Sequence, residues 1–190
     1  MANRSPHGPS TGRLLRTAAA AGLALAAGGP AMAQVPDGDE FSVKTAFVYN
    51  FAKFATWPPA AFAGPQAPLV LCTIGEVSFG MALSALQGKP VGERSLAVRE
   101  ATPANADACH LIVVGQPHAA RFGDVAAALK GRPVLTISDA DGFARRGGAI
   151  GLVIENSRVR FEVNPRTLDG TGVTLSSQLL RLARIVEGAS

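Results

Sequence analysis

The sequence predicts a single α/β domain: a mostly parallel sheet with helices on both faces, ending in an antiparallel hairpin. Two observations carry the prediction. Between Leu69 and Asp139, short runs rich in β-branched residues alternate with segments of helical periodicity, the order that builds parallel sheets. After Gly147-Gly148 the pattern changes to two alternating runs joined by a tight-turn sequence, the mark of a hairpin.

The chain opens with MANRSPHGPSTGRLLR, which carries Arg4, Arg13 and Arg16 and no acid. An apolar run from Thr17 to Gly29 follows, then the small-residue triplet Ala31-Met32-Ala33. This is the pattern of a secretory signal peptide, with residues 1–33 removed by cleavage before Gln34. The apolar run is well short of the roughly 20 residues a spanning helix needs. The leader holds three of the 18 Lys+Arg and none of the 14 Asp+Glu, so residues 34–190 are close to neutral. That removes the electrostatic footprint of a nucleic-acid-binding protein. No later stretch is long and apolar enough to insert in a membrane, and the expected location is an oxidising exported space, the periplasm.

SVKTAFVYNFAKFATW (Ser42 to Trp57) sets Val43, Ala46, Phe47, Asn50, Phe51, Phe54 and Ala55 at helical spacing. These form the expected buried stripe, with Lys44, Thr45, Lys53 and Thr56 on the other side and Pro58-Pro59 as the stop. Tyr49 and Trp57 are the aromatics with a polar handle for an edge or a contact surface. LVLCTIG reads as a buried strand. SFGMALSALQG reads as a helix on Phe79, Leu83 and Leu86, closed by Gly88. SLAVREA and HLIVVG are strands, PHAARFGDVAAALKG a helix from near Pro117 to Gly131, and PVLTISD a further buried strand. GGAIGLVIENSRVRFEVN is the hairpin, turning at Glu155-Asn156-Ser157-Arg158. VTLSSQLLRLARIVE sets Leu175, Leu179, Leu182, Ala183 and Val186 on one face of a last helix, with Arg181 and Arg184 turned away.

Two cysteines in an exported chain favour one bridge, Cys72 to Cys109. On the chain-entropy view it stabilises by about 4 kcal/mol. Bridged cysteines need close Cα atoms, so the strand of Cys72 is expected beside the strand opened by Cys109. Numbering the four strands from Leu69 to Asp139 in chain order, the sheet order is then 2-1-3-4. A nucleophile pair of Cys109 and His110 is disfavoured, because neighbours on a strand point to opposite faces.

Known chemistries find no foothold. The turn Gly75-Glu76-Val77-Ser78 lacks a phosphate-binding glycine pattern, and no GxSxG is present. Cysteine and histidine spacings match no metal site. Asp139-Ala140-Asp141-Gly142 has turn composition. Arg145-Arg146 is the one basic loop, suited to an anion or an acidic partner. A binding or regulatory protein without catalytic residues, cofactor or metal is the expectation, not an enzyme.

Five segments together, KTAFVYNFAKFATWP, the Cys72 strand, CHLIVVG, LTISDADGFARRGGAIGLVIENSRVRFEVN and SSQLLRLARIV, resemble the YfiR family of periplasmic regulators. The resemblance runs from about Val43 to Val186, within a domain spanning residues 34–190. It implies a homodimer that binds the periplasmic domain of an inner-membrane diguanylate cyclase and represses cyclic di-GMP synthesis, and so biofilm. Cys72 and Cys109 match a bridge position of that family. A second family pair is missing, with Ala144 and Gly151 in its place. Tyr49, Trp57, Arg145 and Arg146 are the candidate partner contacts. A second expectation is a small-ligand-binding or sensory protein without a cyclase partner, its pocket at the carboxyl edge of the sheet.

Overall fold

The computed structural model describes residues 37–188; the expected leader, residues 1–33, and its cleavage before Gln34 lie outside them. Four helices and ten strands follow one another: α1 (Asp37–Phe54), β1 (Ala55–Thr56), β2 (Leu69–Ile74), α2 (Gly80–Leu83), β3 (Pro90–Val91), β4 (Arg94–Glu100), β5 (Leu111–Val114), α3 (Phe122–Leu129), β6 (Leu135–Ser138), β7 (Ile150–Glu155), β8 (Arg158–Val163), β9 (Thr174–Leu175), α4 (Ser177–Leu182) and β10 (Arg184–Ile185). Eight strands form one sheet in the order β10-β8-β7-β6-β5-β2-β4-β3, and β1 pairs with β9 in a small antiparallel ribbon. Strands β4, β2, β5, β6 and β7 run parallel, and the β7–β8 and β3–β4 pairs are antiparallel.

Strand β5 explains why its sequence is apolar without a break. Leu111 and Val113 point into a core built with Val48 and Phe51 of α1. Ile112 and Val114 point into a second core with Phe122 and Val125 of α3. A strand covered on both faces reads as a continuous apolar run. The hairpin turn is made by Asn156 and Ser157 at φ of 50° and 58°, the doubly left-handed turn that matches strand twist and favours Asn.

Three elements depart from the sequence reading. Helix α1 starts five residues earlier than expected and buries a different face. Lys44, Thr45, Val48, Phe51 and Ala52 are buried, while Val43, Ala46 and Asn50 are exposed. The stripe is turned by one residue, about 100°, because Lys44 finds half-buried carboxylate partners. The helix also stops at Phe54, since Ala55 and Thr56 pair with Leu175 and Thr174. Helix α3 begins at Phe122 rather than near Pro117; residues 117–121 form turns closed by Ala120 N to Pro117 O and Arg121 N to His118 O.

The expected last helix is divided in three. Leu175 belongs to the β1–β9 ribbon, α4 is capped by Ser176 Oγ accepting from Leu179 N at 3.2 Å, and Arg184–Ile185 pairs with Glu162–Val163 as an edge strand. Leu179 and Val186 are buried, but Leu182 is 71% exposed. No helix among the described residues is long and apolar enough to cross a membrane.

Candidate functional site

Asp139 directly follows β6, at the carboxyl end of the strand. Its Oδ2 accepts from Ser78 Oγ at 2.6 Å, ahead of α2, and from Lys44 Nζ at 2.8 Å, on α1. Lys44 also pairs with Glu40 Oε1 at 2.6 Å, one helical turn earlier, and its ammonium lies 5.7 Å from the Phe79 ring centre. Burial by itself would raise the Asp139 carboxyl, but the Lys44 ammonium and Ser78 hydroxyl outweigh it and hold the group below the usual carboxylate range. Burial would likewise lower Lys44; its two carboxylate partners keep it above the ordinary value. A carboxylate whose oxygen already takes two donors is poorly placed to remove a proton. The cluster is a clamp that fixes α1 and the β2–α2 loop to the end of β6. Asp139 is therefore more than the turn residue its neighbours suggest, and neither Lys44 nor Ser78 stands out in the sequence.

A second charged cluster holds the basic loop. Glu162, on β8, is 2% exposed. Its Oε1 accepts from Arg145 Nη2 at 3.2 Å and from Arg184 at 3.0 Å through Nε and 2.5 Å through Nη2. Arg184 also meets Glu155, so it is anchored, where the helical pattern turns it away. Arg145 keeps 56% of its side chain exposed, and exposed Arg146 donates to the Asp141 carbonyl. Both reach solvent from fixed backbones, beside a Gly147 with φ of 95°.

Tyr49 and Trp57 lie elsewhere, around the end of α1. Trp57 is only 7% exposed, and its Nε1 donates to the His110 carbonyl at 3.2 Å. The polar handle of Trp57 is thus turned inward, onto the backbone. Its edge lines a groove of about 330 Å³ with Lys53, Phe62 and Arg94. Half-buried Tyr49 donates to Pro90 O at 2.6 Å and carries Lys53 over its ring at 5.5 Å. No hydrogen bond or ion pair among the described residues joins this pair to Arg145 and Arg146.

His110 points away from Cys109. Nδ1 accepts from Val70 N at 3.0 Å, which places the proton on Nε2 to donate to Ala61 O at 3.1 Å. Phe62 stacks on the ring at 4.5 Å and the Arg94 guanidinium lies 3.6 Å from the Phe62 centre. Burial, opposed by the Ala61 contact and helped by Arg94 and Arg99, lowers its pKa. The histidine is a neutral packing element, not a base for a nucleophile.

Cys72 and Cys109 are bridged across 37 residues with Cα atoms 5.9 Å apart, and β2 pairs with β5. Arg99 Nε lies 3.5 Å from Cys72 Sγ and its Nη2 3.9 Å from Cys109 Sγ. No group of three or more His, Cys, Asp or Glu among the described residues is placed to hold a metal ion.

The sequence profile described as YfiR/HmsC-like matches residues 41–184, from the first turns of α1 to the Arg184 that anchors on Glu162. The chain belongs to the YfiR/HmsC-like family. No curated protein matches it in sequence. In this YfiR/HmsC-like chain the Ala144 and Gly151 positions face each other: a Cβ built on Gly151 would lie 3.6 Å from the Ala144 Cβ. That is the separation of bridged cysteines, so the backbone keeps the geometry of a crosslink that its residues do not make.

Proposed function

We propose that this protein is an exported, homodimeric repressor that binds the periplasmic domain of an inner-membrane diguanylate cyclase and lowers cyclic di-GMP synthesis. Membership of the YfiR/HmsC-like family over residues 41–184 carries this reading. The clamped Lys44–Asp139 and Arg145–Glu162–Arg184 clusters agree with it, because their charged groups hold α1 and the Arg145 loop in place. Repressor and catalytic domain stand on opposite sides of the membrane. Inhibition is then a population shift, in which the repressor binds the inactive cyclase conformation more tightly than the active one.

Export follows from the leader at residues 1–33, cut before Gln34. Arg145 and Arg146, exposed from a fixed loop, and Tyr49 with the edge of Trp57 are the proposed contacts. Pull-down from solubilised membranes is expected to recover an inner-membrane protein with a diguanylate cyclase domain, and gene deletion to raise cyclic di-GMP and attachment. Unchanged cyclic di-GMP in a deletion strain that retains the cyclase overturns the repressor role.

A further inference from the structure

A cavity of about 480 Å³ lies at the amino ends of β6 and β7, opposite the edge that holds Asp139. One wall is apolar: Phe122, Leu129 and Val134, all buried residues of the α3-side core, reach it. Its rim carries Lys130, Arg132, Arg146 and Arg166 against a single acid, Asp169. Lys130 and Arg166 are exposed and make no ion pair among the described residues. Arg146 is steadied by its bond to the Asp141 carbonyl, and Gly147 beside it, at φ of 95°, adds no side chain to the cavity.

Its charge balance differs from that of the Lys44 and Glu162 clusters. In the two charged clusters already described every cation is matched by a buried or half-buried carboxylate. Here cations from three separate segments, the end of α3, the β6–β7 connection and the turn after β8, converge on one opening. Like charges brought together in this way repel, and an anion among them relieves the repulsion. The apolar wall asks for more than a bare ion: a ring or short alkyl chain laid on Phe122 and Leu129 gains from leaving water. The volume falls within the range of small-molecule sites.

We propose that this cavity binds a small organic anion, one acidic group joined to a ring or short chain. The acid sits among Lys130, Arg146 and Arg166, and the apolar body lies against α3. The site stands independently of any cyclase partner.

Gly123 supplies the decisive variant. It lies on α3 at the cavity wall, and a Cβ added there meets nothing within 4 Å. Gly123→Phe therefore adds a ring at the cavity wall with no clash at its Cβ. The probe is 8-anilinonaphthalene-1-sulfonate, titrated by fluorescence into the bridged protein, with circular dichroism to establish that each variant is folded. Saturable one-to-one binding is expected, weakened about tenfold in Lys130→Gln/Arg166→Gln, the loss of about one charge-assisted contact, and abolished in Gly123→Phe.

Octanoate and phenyl phosphate serve as competitors. Displacement by either supports the proposal and tells carboxylates from phosphate esters. Wild-type binding in a folded Gly123→Phe, or displacement by inorganic phosphate but by neither organic anion, overturns it.

Discussion

Lys44 and Asp139, 95 residues apart in sequence, meet at 2.8 Å across the end of β6. Their side chains are 8% and 19% exposed, so each charge depends on the other and on Glu40 and Ser78 for the solvation that water would give. The pair decides which face of α1 is buried: with Lys44 turned inward, Val48, Phe51 and Ala52 follow it onto the sheet at helical spacing.

Removing the cation strands two carboxylates. Lys44→Met is expected to lower stability by about 2–4 kcal/mol, somewhat less than deletion from a fully buried pair because Glu40 and Asp139 keep part of their contact with water, and Lys44→Met/Asp139→Asn to recover part of the loss. Urea unfolding midpoints of the two single variants and the double measure the coupling directly. Additive losses would show that the two side chains act independently.

The pair also sets an acid limit. Asp139 is held below its unfolded value of 3.8, so its contribution is present above that pH and is lost as pH falls through the depressed folded value. Asp139→Asn is expected to flatten the dependence of stability on pH below 4, read from urea midpoints between pH 5 and pH 2.5.

His110 acts at a higher pH and with the opposite charge. Its folded pKa is depressed below 6.5, so between the two values the unfolded chain takes up a proton that the folded chain refuses. Stability from the neutral ring is complete above pH 6.5 and is lost as pH falls from there toward the folded value. Melting temperature is expected to drop between pH 7.5 and pH 5, and His110→Gln to remove most of that slope. An equal slope in the variant would assign the transition to another group.

Much of this fold is legible in its sequence where one local cause decides the outcome. Asn156-Ser157 announces a turn because few residues accept positive φ. LIVV announces a strand buried on both faces because nothing polar interrupts it. The Cys72–Cys109 bridge follows from an even count and the export that the leader pattern predicts. What stays hidden has a distant cause. Lysine is ordinarily solvent-facing, so Lys44 sits on the wrong side of the periodicity argument until Asp139 is seen beside it. The two-residue strands β1, β9 and β10 have no period to read. β9 and β10 cut the apparent helix from Val173 to Glu187, and β1 ends α1, because the strands they pair with lie far off in the chain. Trp57 announces a polar handle but not its acceptor, the His110 carbonyl, which lies 53 residues further on.

The Cys72–Cys109 bridge ties β2 to the entry of β5 and closes 37 residues. Cys72→Ala/Cys109→Ala is expected to lose about 4 kcal/mol, mainly through a freer unfolded chain. Non-reducing peptide mapping of the exported protein is expected to show the two cysteine peptides linked. Free thiols in freshly prepared periplasmic material would contradict the bridge and count against the proposed export.

Ala144 and Gly151 offer the inverse experiment. Their backbones already hold a Cβ separation of 3.6 Å. Gly151 does not have positive φ, and Ala144, in the turn before Gly147, is fully buried. Neither position resists a larger residue through backbone strain. Ala144→Cys/Gly151→Cys is expected to oxidise spontaneously to a second bridge. Its short loop stabilises by only about 2 kcal/mol on the chain-entropy model, seen as a melting temperature that rises and falls back on reduction. The loop it closes carries Arg145 and Arg146, so under the proposed repressor role the same variant asks whether partner binding needs that loop to move. Retained repression with the bridge closed would mean that the Glu162 anchor already holds the loop in its working position. Lost repression, restored by reductant, would mean that the loop shifts when the partner docks.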